Sequence, residues 1–127
     1  MFALSPGSSE RHDGQHVLVV DDDATTRRVM SRLVKRLLPG CSVATAADGA
    51  AAVKYVKGAM KAAVGGVDSD STQPVPDFIT LDNQMPVMTG QEAAVAMRAS
   101  GYMGRVVGVT GNAVGADGEA FIKAGVD

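Results

Sequence analysis

The sequence predicts a doubly wound α/β domain built on a parallel sheet, and three observations carry that reading. Short apolar runs alternate with helical patterns along the chain. The runs at 17–20 and 78–81 are almost continuously apolar rather than alternating, as strands covered on both faces are. Both runs end abruptly in acids: Asp21, Asp22 and Asp23 after the first, Asp82 after the second.

Residues 17–20, Val-Leu-Val-Val, read as a central strand. Val29, Met30, Leu33, Val34, Leu37 and Leu38 then recur at helical spacing, with Arg27, Arg28, Arg32, Lys35 and Arg36 on other faces. Pro39-Gly40 stops that helix. Residues 41–45 read as a second strand, and Asp48-Gly49 opens an Ala-rich helix through Val53 and Val56 towards Met60. Residues 65–76 turn to Gly, Asp, Ser, Thr, Gln and Pro, a loop signature. A third strand follows at 78–81. Thr89-Gly90-Gln91-Glu92 has the form of a capping box and starts a third helix, which ends near Ser100-Gly101. Residues 106–109 form a fourth strand ending in Thr110-Gly111-Asn112, and 117–124 a last short helix before Gly125. Residues 1–15 read as a flexible lead-in and 16–127 as one domain.

Composition narrows the class. With 127 residues, 46% hydrophobic and 20% charged, the chain is long enough for one core and too apolar for disorder. A net charge of −2 and no dominant basic segment argue against a nucleic-acid surface. The basic helix reads as a solvated face. The single Cys41 excludes an internal disulfide, suits a reducing cytoplasmic compartment and reads as a small buried residue. No apolar run is long enough to span a membrane. His12 and His16 have no partner at ligand spacing, and no Gly-rich nucleotide loop is present.

The acids carry the chemistry. Carboxyl ends of neighbouring parallel strands line up along one sheet edge, where ligands bind. Adjacent strands at 17–20 and 78–81 gather Asp21, Asp22 and Asp82 in one pocket. Clustered carboxylates repel unless a cation neutralises them, and oxygen-only ligands point to magnesium. Each acid also has an ordinary explanation, as a helix cap or a loop residue. The coincidence of three motifs at three strand ends favours the pocket.

Val-Leu-Val-Val-Asp-Asp-Asp, Leu-Asp-Asn-Gln-Met-Pro-Val-Met-Thr-Gly and Val-Thr-Gly-Asn-Ala together resemble the receiver domain of two-component response regulators and hybrid histidine kinases. The resemblance runs from about Val17 to Asp127, and its wording leans towards receivers of hybrid kinases. It implies a flavodoxin-like, CheY-like sheet with strand order 2-1-3-4 here. It implies that Asp82 is the phosphoacceptor, charged from a histidine on a histidine kinase or histidine phosphotransfer protein. Asp22 would bind Mg²⁺ directly and Asp21 largely through water, with Asp82 and the Gln84 backbone carbonyl completing the protein ligands. Thr110 would turn its hydroxyl to the acyl phosphate, and Gly111 and Asn83 would border the phosphoryl group. Gln84 and Asn112 flank the site where the family tunes hydrolysis of that phosphate.

The pattern departs from the family at the end of the chain. Receivers carry a lysine closing a fifth strand, followed by a fifth helix, and the sequence ends ahead of both. Lys123 falls in the preceding helix and is no substitute. The expectation is a piece of a longer receiver, with a second chain filling the gap as the alternative. That would bare the 106–109 edge to strand addition and homo-oligomer formation, and expose one face of the first strand.

Three functions compete. The leading one is a switch that accepts phosphate and alters partner binding, acting on no outside substrate. A magnesium-dependent phosphohydrolase of the haloacid-dehalogenase type needs a general acid two residues after its nucleophile, where this chain has Gln84. A degenerate receiver acting only as a docking module is the third.

Overall fold

In the computed structural model, residues 14–63, 74–82 and 88–109 are described. They form β1 (His16–Val20), α1 (Ala24–Leu37), β2 (Ser42–Ala46), α2 (Gly49–Ala63), β3 (Phe78–Asp82), α3 (Gly90–Ala99) and β4 (Arg105–Val109). All strand pairings are parallel, in the order β2-β1-β3-β4. β1 is therefore central, and Val20 sits in register with Ala46 on one side and Leu81 on the other. The expected order and class are those observed. The anticipated helix at 117–124 and most of the 65–76 loop lie outside the described residues.

Period-two alternation divides the core into two layers. Leu18, Val20, Ile79 and Leu81 face α2 and α3, where Ala52, Val56, Ala93, Ala94 and Met97 complete the larger cluster. Val17, Val19 and Phe78 face the other way and meet Val34 and Leu38 at the end of α1. The alanines of α2 and α3 let helix and sheet approach closely, which suits a chain with no tryptophan and three phenylalanines.

Each helix start follows its local sequence. Asp23 caps α1, its carboxylate accepting from the Thr26 backbone N–H at 3.3 Å and the Thr26 hydroxyl at 2.6 Å. Asp48 accepts from Ala51 N–H at 2.7 Å at the start of α2. Thr89 and Glu92 form the anticipated capping box, Glu92 N–H to Thr89 Oγ1 at 3.2 Å and Thr89 N–H to Glu92 Oε1 at 3.0 Å. Gly40 and Gly101, at φ of 92° and 96°, turn the chain after α1 and α3 through the left-handed region.

Three expectations need correction. Strand bounds shift by a residue: β1 starts at His16, β2 runs Ser42–Ala46 and β4 starts at Arg105. The first strand is not bare on either face, since Val17 and Val19 are 0% and 1% exposed beneath α1. The six-residue stripe of α1 is not one buried face: Val34 and Leu38 are buried, but Val29 and Leu33 are 56% and 42% exposed. At 100° per residue, Leu33 lies roughly 100° and Val29 roughly 140° of arc from the centre of the buried side at Val34. The apolar stripe is wider than the sheet it covers.

Candidate functional site

The sheet's carboxyl edge assembles the acids. Asp21 follows β1 immediately, and its N–H donates to the Ala46 carbonyl at 3.2 Å, carrying the ladder one residue past the strand. Asp82 closes β3, opposite Val109 of β4. Carboxylate oxygens of Asp21, Asp22 and Asp82 all lie within 4.8 Å of one another. Asp21 is buried, Asp82 half-buried and Asp22 exposed, so the cluster opens from the protein interior to solvent.

The three consecutive acids divide the work. Asp23 turns away to cap α1. Its own N–H donates to Asp21 Oδ1 at 2.9 Å, which orients the buried carboxylate. Hydrogen bonds from Thr26, first the hydroxyl and then the backbone, pull the Asp23 pKa below its ordinary value. The capping explanation of the triplet thus holds for Asp23 alone. Sequence reasoning missed Arg27, whose Nη1 donates to the Asp21 carbonyl oxygen at 2.7 Å. Its position one turn into α1, four residues after the cap, was the available signal.

Such a cluster is a sensible cation site. An ion bound at about 2.1 Å admits two oxygen ligands up to ~4.2 Å apart, and small carboxylate rotations close the remaining gap. Oxygen-only donors select a hard dication over zinc or copper. The residues present fit magnesium. Among the other predicted site residues, Asn83, Gln84, Thr110, Gly111 and Asn112 lie outside the described residues.

His16 stands at the other end of β1. It is buried, with Nδ1 at 2.8 Å from Ser42 Oγ and Nε2 at 2.6 Å from the Tyr55 hydroxyl. Its polar atoms are satisfied by protein groups. Cys41 is half-buried beside the α1 cluster, where burial pushes its thiol pKa up. Among the described residues, no helix is long and apolar enough to cross a membrane.

Fold and acids define a class: an open parallel α/β domain with a cation-ready carboxylate pocket at the carboxyl edge of its central strands. The profile of the response regulator receiver domain matches residues 17–127, and the chain belongs to that family. It is a receiver domain of two-component signalling. It is 34% identical over 111 residues to the two-component response regulator ORR41 of Oryza sativa subsp. japonica, covering 87% of this chain and 77% of that protein. It is 32% identical over 120 residues to probable histidine kinase 2 of Oryza sativa subsp. indica, covering 91% of this chain but only 11% of the kinase. The receiver domain of the histidine kinase CKI1 from Arabidopsis thaliana, crystallised with Mg²⁺ and BeF₃⁻, superimposes with a TM-score of 0.75 at 30% identity, over 91% of this chain and 78% of that one. The receiver of sensor histidine kinase PA1611 from Pseudomonas aeruginosa, with magnesium in its active-site cleft, gives 0.69 at 28% identity, over 90% and 81%.

Proposed function

We propose that this domain accepts a phosphoryl group on Asp82 from a phosphohistidine of a histidine kinase or histidine phosphotransfer protein. The convergence of three carboxylates within 4.8 Å, one of them closing the inner strand β3, carries the reading. An Asp82 oxygen attacks phosphorus in line with the P–N bond. That bond breaks, its electron pair returns to the imidazole, which takes a proton from solvent, and an acyl phosphate remains on Asp82.

Attack of one anion on another is slow unless charge is offset and geometry is set in advance. Mg²⁺ held by Asp21, Asp22, Asp82 and the Gln84 carbonyl would supply that offset. The chain's own residues supply the positioning. β3 pairing fixes the Asp82 backbone, and the Asp23 N–H fixes the Asp21 carboxylate. Thr110 would donate to the acyl phosphate, with Gly111 and Asn83 beside the phosphoryl group, linking modification to the chain after β4. The phosphodonor would dock on α1, which starts two residues after Asp22 and exposes Val29 and Leu33.

Incubation with acetyl phosphate and Mg²⁺ tests this by intact mass. A gain of one phosphoryl group, absent in Asp82→Asn and in EDTA, is the expected result. If the chain gains no mass while still binding a phosphotransfer protein, it is a docking module instead.

A further inference from the structure

The α2 helix carries a feature that the phosphoacceptor site does not use. Lys54, Lys57 and Lys61 are all exposed and fall within about 60° of helical arc, a stripe ~10 Å long. The segment GAAAVKYVKGAMKAA contains no acid, so α2 itself brings only positive charge to this face. The stripe borders an open groove of roughly 500 Å³ whose apolar lining includes Val53, Gly58 and Met88. Met88 belongs to the segment joining β3 to α3, six residues after Asp82. It reaches the groove because Gly49 has no side chain: a Cβ there would lie 2.9 Å from the Met88 carbonyl oxygen.

We propose that this groove is a docking site for an acidic amphipathic helix of a partner protein. The occupant would lay an apolar ridge over Val53 and Met88 and place carboxylates at i, i+3 or i+4, and i+7 against the lysine stripe. The alternatives fit less well. A two-fold contact with a second copy would set the stripe against itself, like charge on like. A membrane surface would need large apolar side chains to insert, and among the described residues the exposed ones, Val29, Leu33, Val95 and Met103, lie elsewhere in the fold. A wholly apolar peptide would leave three ammonium groups desolvated and unpaired. An acidic helix satisfies both walls of the groove. The proposal stands apart from the phosphoryl reading and is tested without a phosphodonor.

The probe is a synthetic helical peptide of about 18 residues with Leu on one stripe and Glu at the stated spacing beside it. Titrated into isotope-labelled full chain, it should shift the amide resonances of Val53, Lys54, Gly58 and Met88. A version with Gln for each Glu should bind at least tenfold more weakly. The triple change Lys54→Glu, Lys57→Glu, Lys61→Glu should cost at least tenfold, and its Lys→Gln counterpart serves if charge reversal lowers the melting temperature. Shifts elsewhere, equal binding by the triple variant, or no binding at millimolar peptide would overturn the proposal. So would lysine-dependent binding of phosphatidylserine vesicles or of a single-stranded oligonucleotide in place of the peptide.

Discussion

The Tyr55 hydroxyl lies 2.6 Å from Nε2 of His16, joining the middle of α2 to the first residue of β1. Ser42 Oγ, 2.8 Å from Nδ1, itself donates to the Gln15 carbonyl at 3.4 Å, so it accepts from Nδ1–H. In the neutral imidazole, Nε2 then accepts from the Tyr55 hydroxyl. Burial lowers the His16 pKa below 6.5, outweighing the opposing pull of Asp77. Above pH 6.5 neither folded nor unfolded chain binds this proton. As pH falls through 6.5 the unfolded chain takes it up while the folded chain resists, so stability drops until the lower folded pKa is passed. Urea midpoints of wild type and His16→Gln should therefore converge between about pH 7.5 and pH 5. Parallel curves would exclude His16 as the cause.

The acidic cluster gives a sign-specific expectation for metal. Without a cation, Asp21, Asp22 and Asp82 repel one another, so Asp22→Asn should stabilise the metal-free protein by a few tenths of a kcal/mol, small because Asp22 is exposed. Mg²⁺ at ten times its dissociation constant should stabilise wild type by about 1.4 kcal/mol, with reversal in EDTA. Asp22→Asn should lose most of that rise. Thermal melts with and without Mg²⁺ measure both effects, and an Asp22→Asn protein that responds to Mg²⁺ like wild type contradicts the ligand assignment.

The layout of the fold and the acid pocket could be read from sequence because the responsible forces are local and periodic. The Val17–Val20 run announces a strand covered twice, and a parallel sheet then places Asp21 and Asp82 on the same edge whatever the details of packing. Thr89 and Glu92 announce their helix because a capping box is a contact between near neighbours. What escaped depended on elements distant in sequence. His16 looked unpartnered because Ser42 and Tyr55 are 26 and 39 residues away. Val29 and Leu33 looked buried because periodicity reports an apolar face but not how much of it the sheet can cover.

Tyr102 ties the start of β4 to the return into β3. It is 1% exposed, and its hydroxyl donates to the Pro76 carbonyl at 2.8 Å. Arg98 lies over its ring at 5.7 Å and donates to the Tyr102 and Gly104 carbonyls at 2.9 and 2.7 Å. Tyr102→Phe should cost about 1–2 kcal/mol through the orphaned carbonyl. Gly104→Ala would push a methyl group into the Tyr102 hydroxyl and ring edge, costing about 1–3 kcal/mol. Removing the hydroxyl relieves part of that collision, so the double variant should lose less than the two single losses combined. Additive urea midpoints would show that the two residues do not interact.

Substituting the exposed apolar pair on α1 tests donor docking apart from phosphoryl chemistry. Val29 and Leu33 are 56% and 42% exposed and share a groove of roughly 300 Å³ with Arg32 and Arg36. Neither valine nor leucine contributes to the carboxylate cluster, so a small phosphodonor does not need them. A phosphorylated protein donor would bury both, and removing them should weaken the encounter by about 1–3 kcal/mol, or five- to a hundred-and-fifty-fold in its rate constant. The paired change Val29→Ser, Leu33→Ser leaves Val34 and Leu38, which hold α1 to the sheet, untouched. Labelling by acetyl phosphate should then proceed at the wild-type rate while transfer from a phosphotransfer protein slows by that factor. Equal slowing with both donors would mean that the substitutions disturb the acids themselves, and no slowing with either would place the donor on another face.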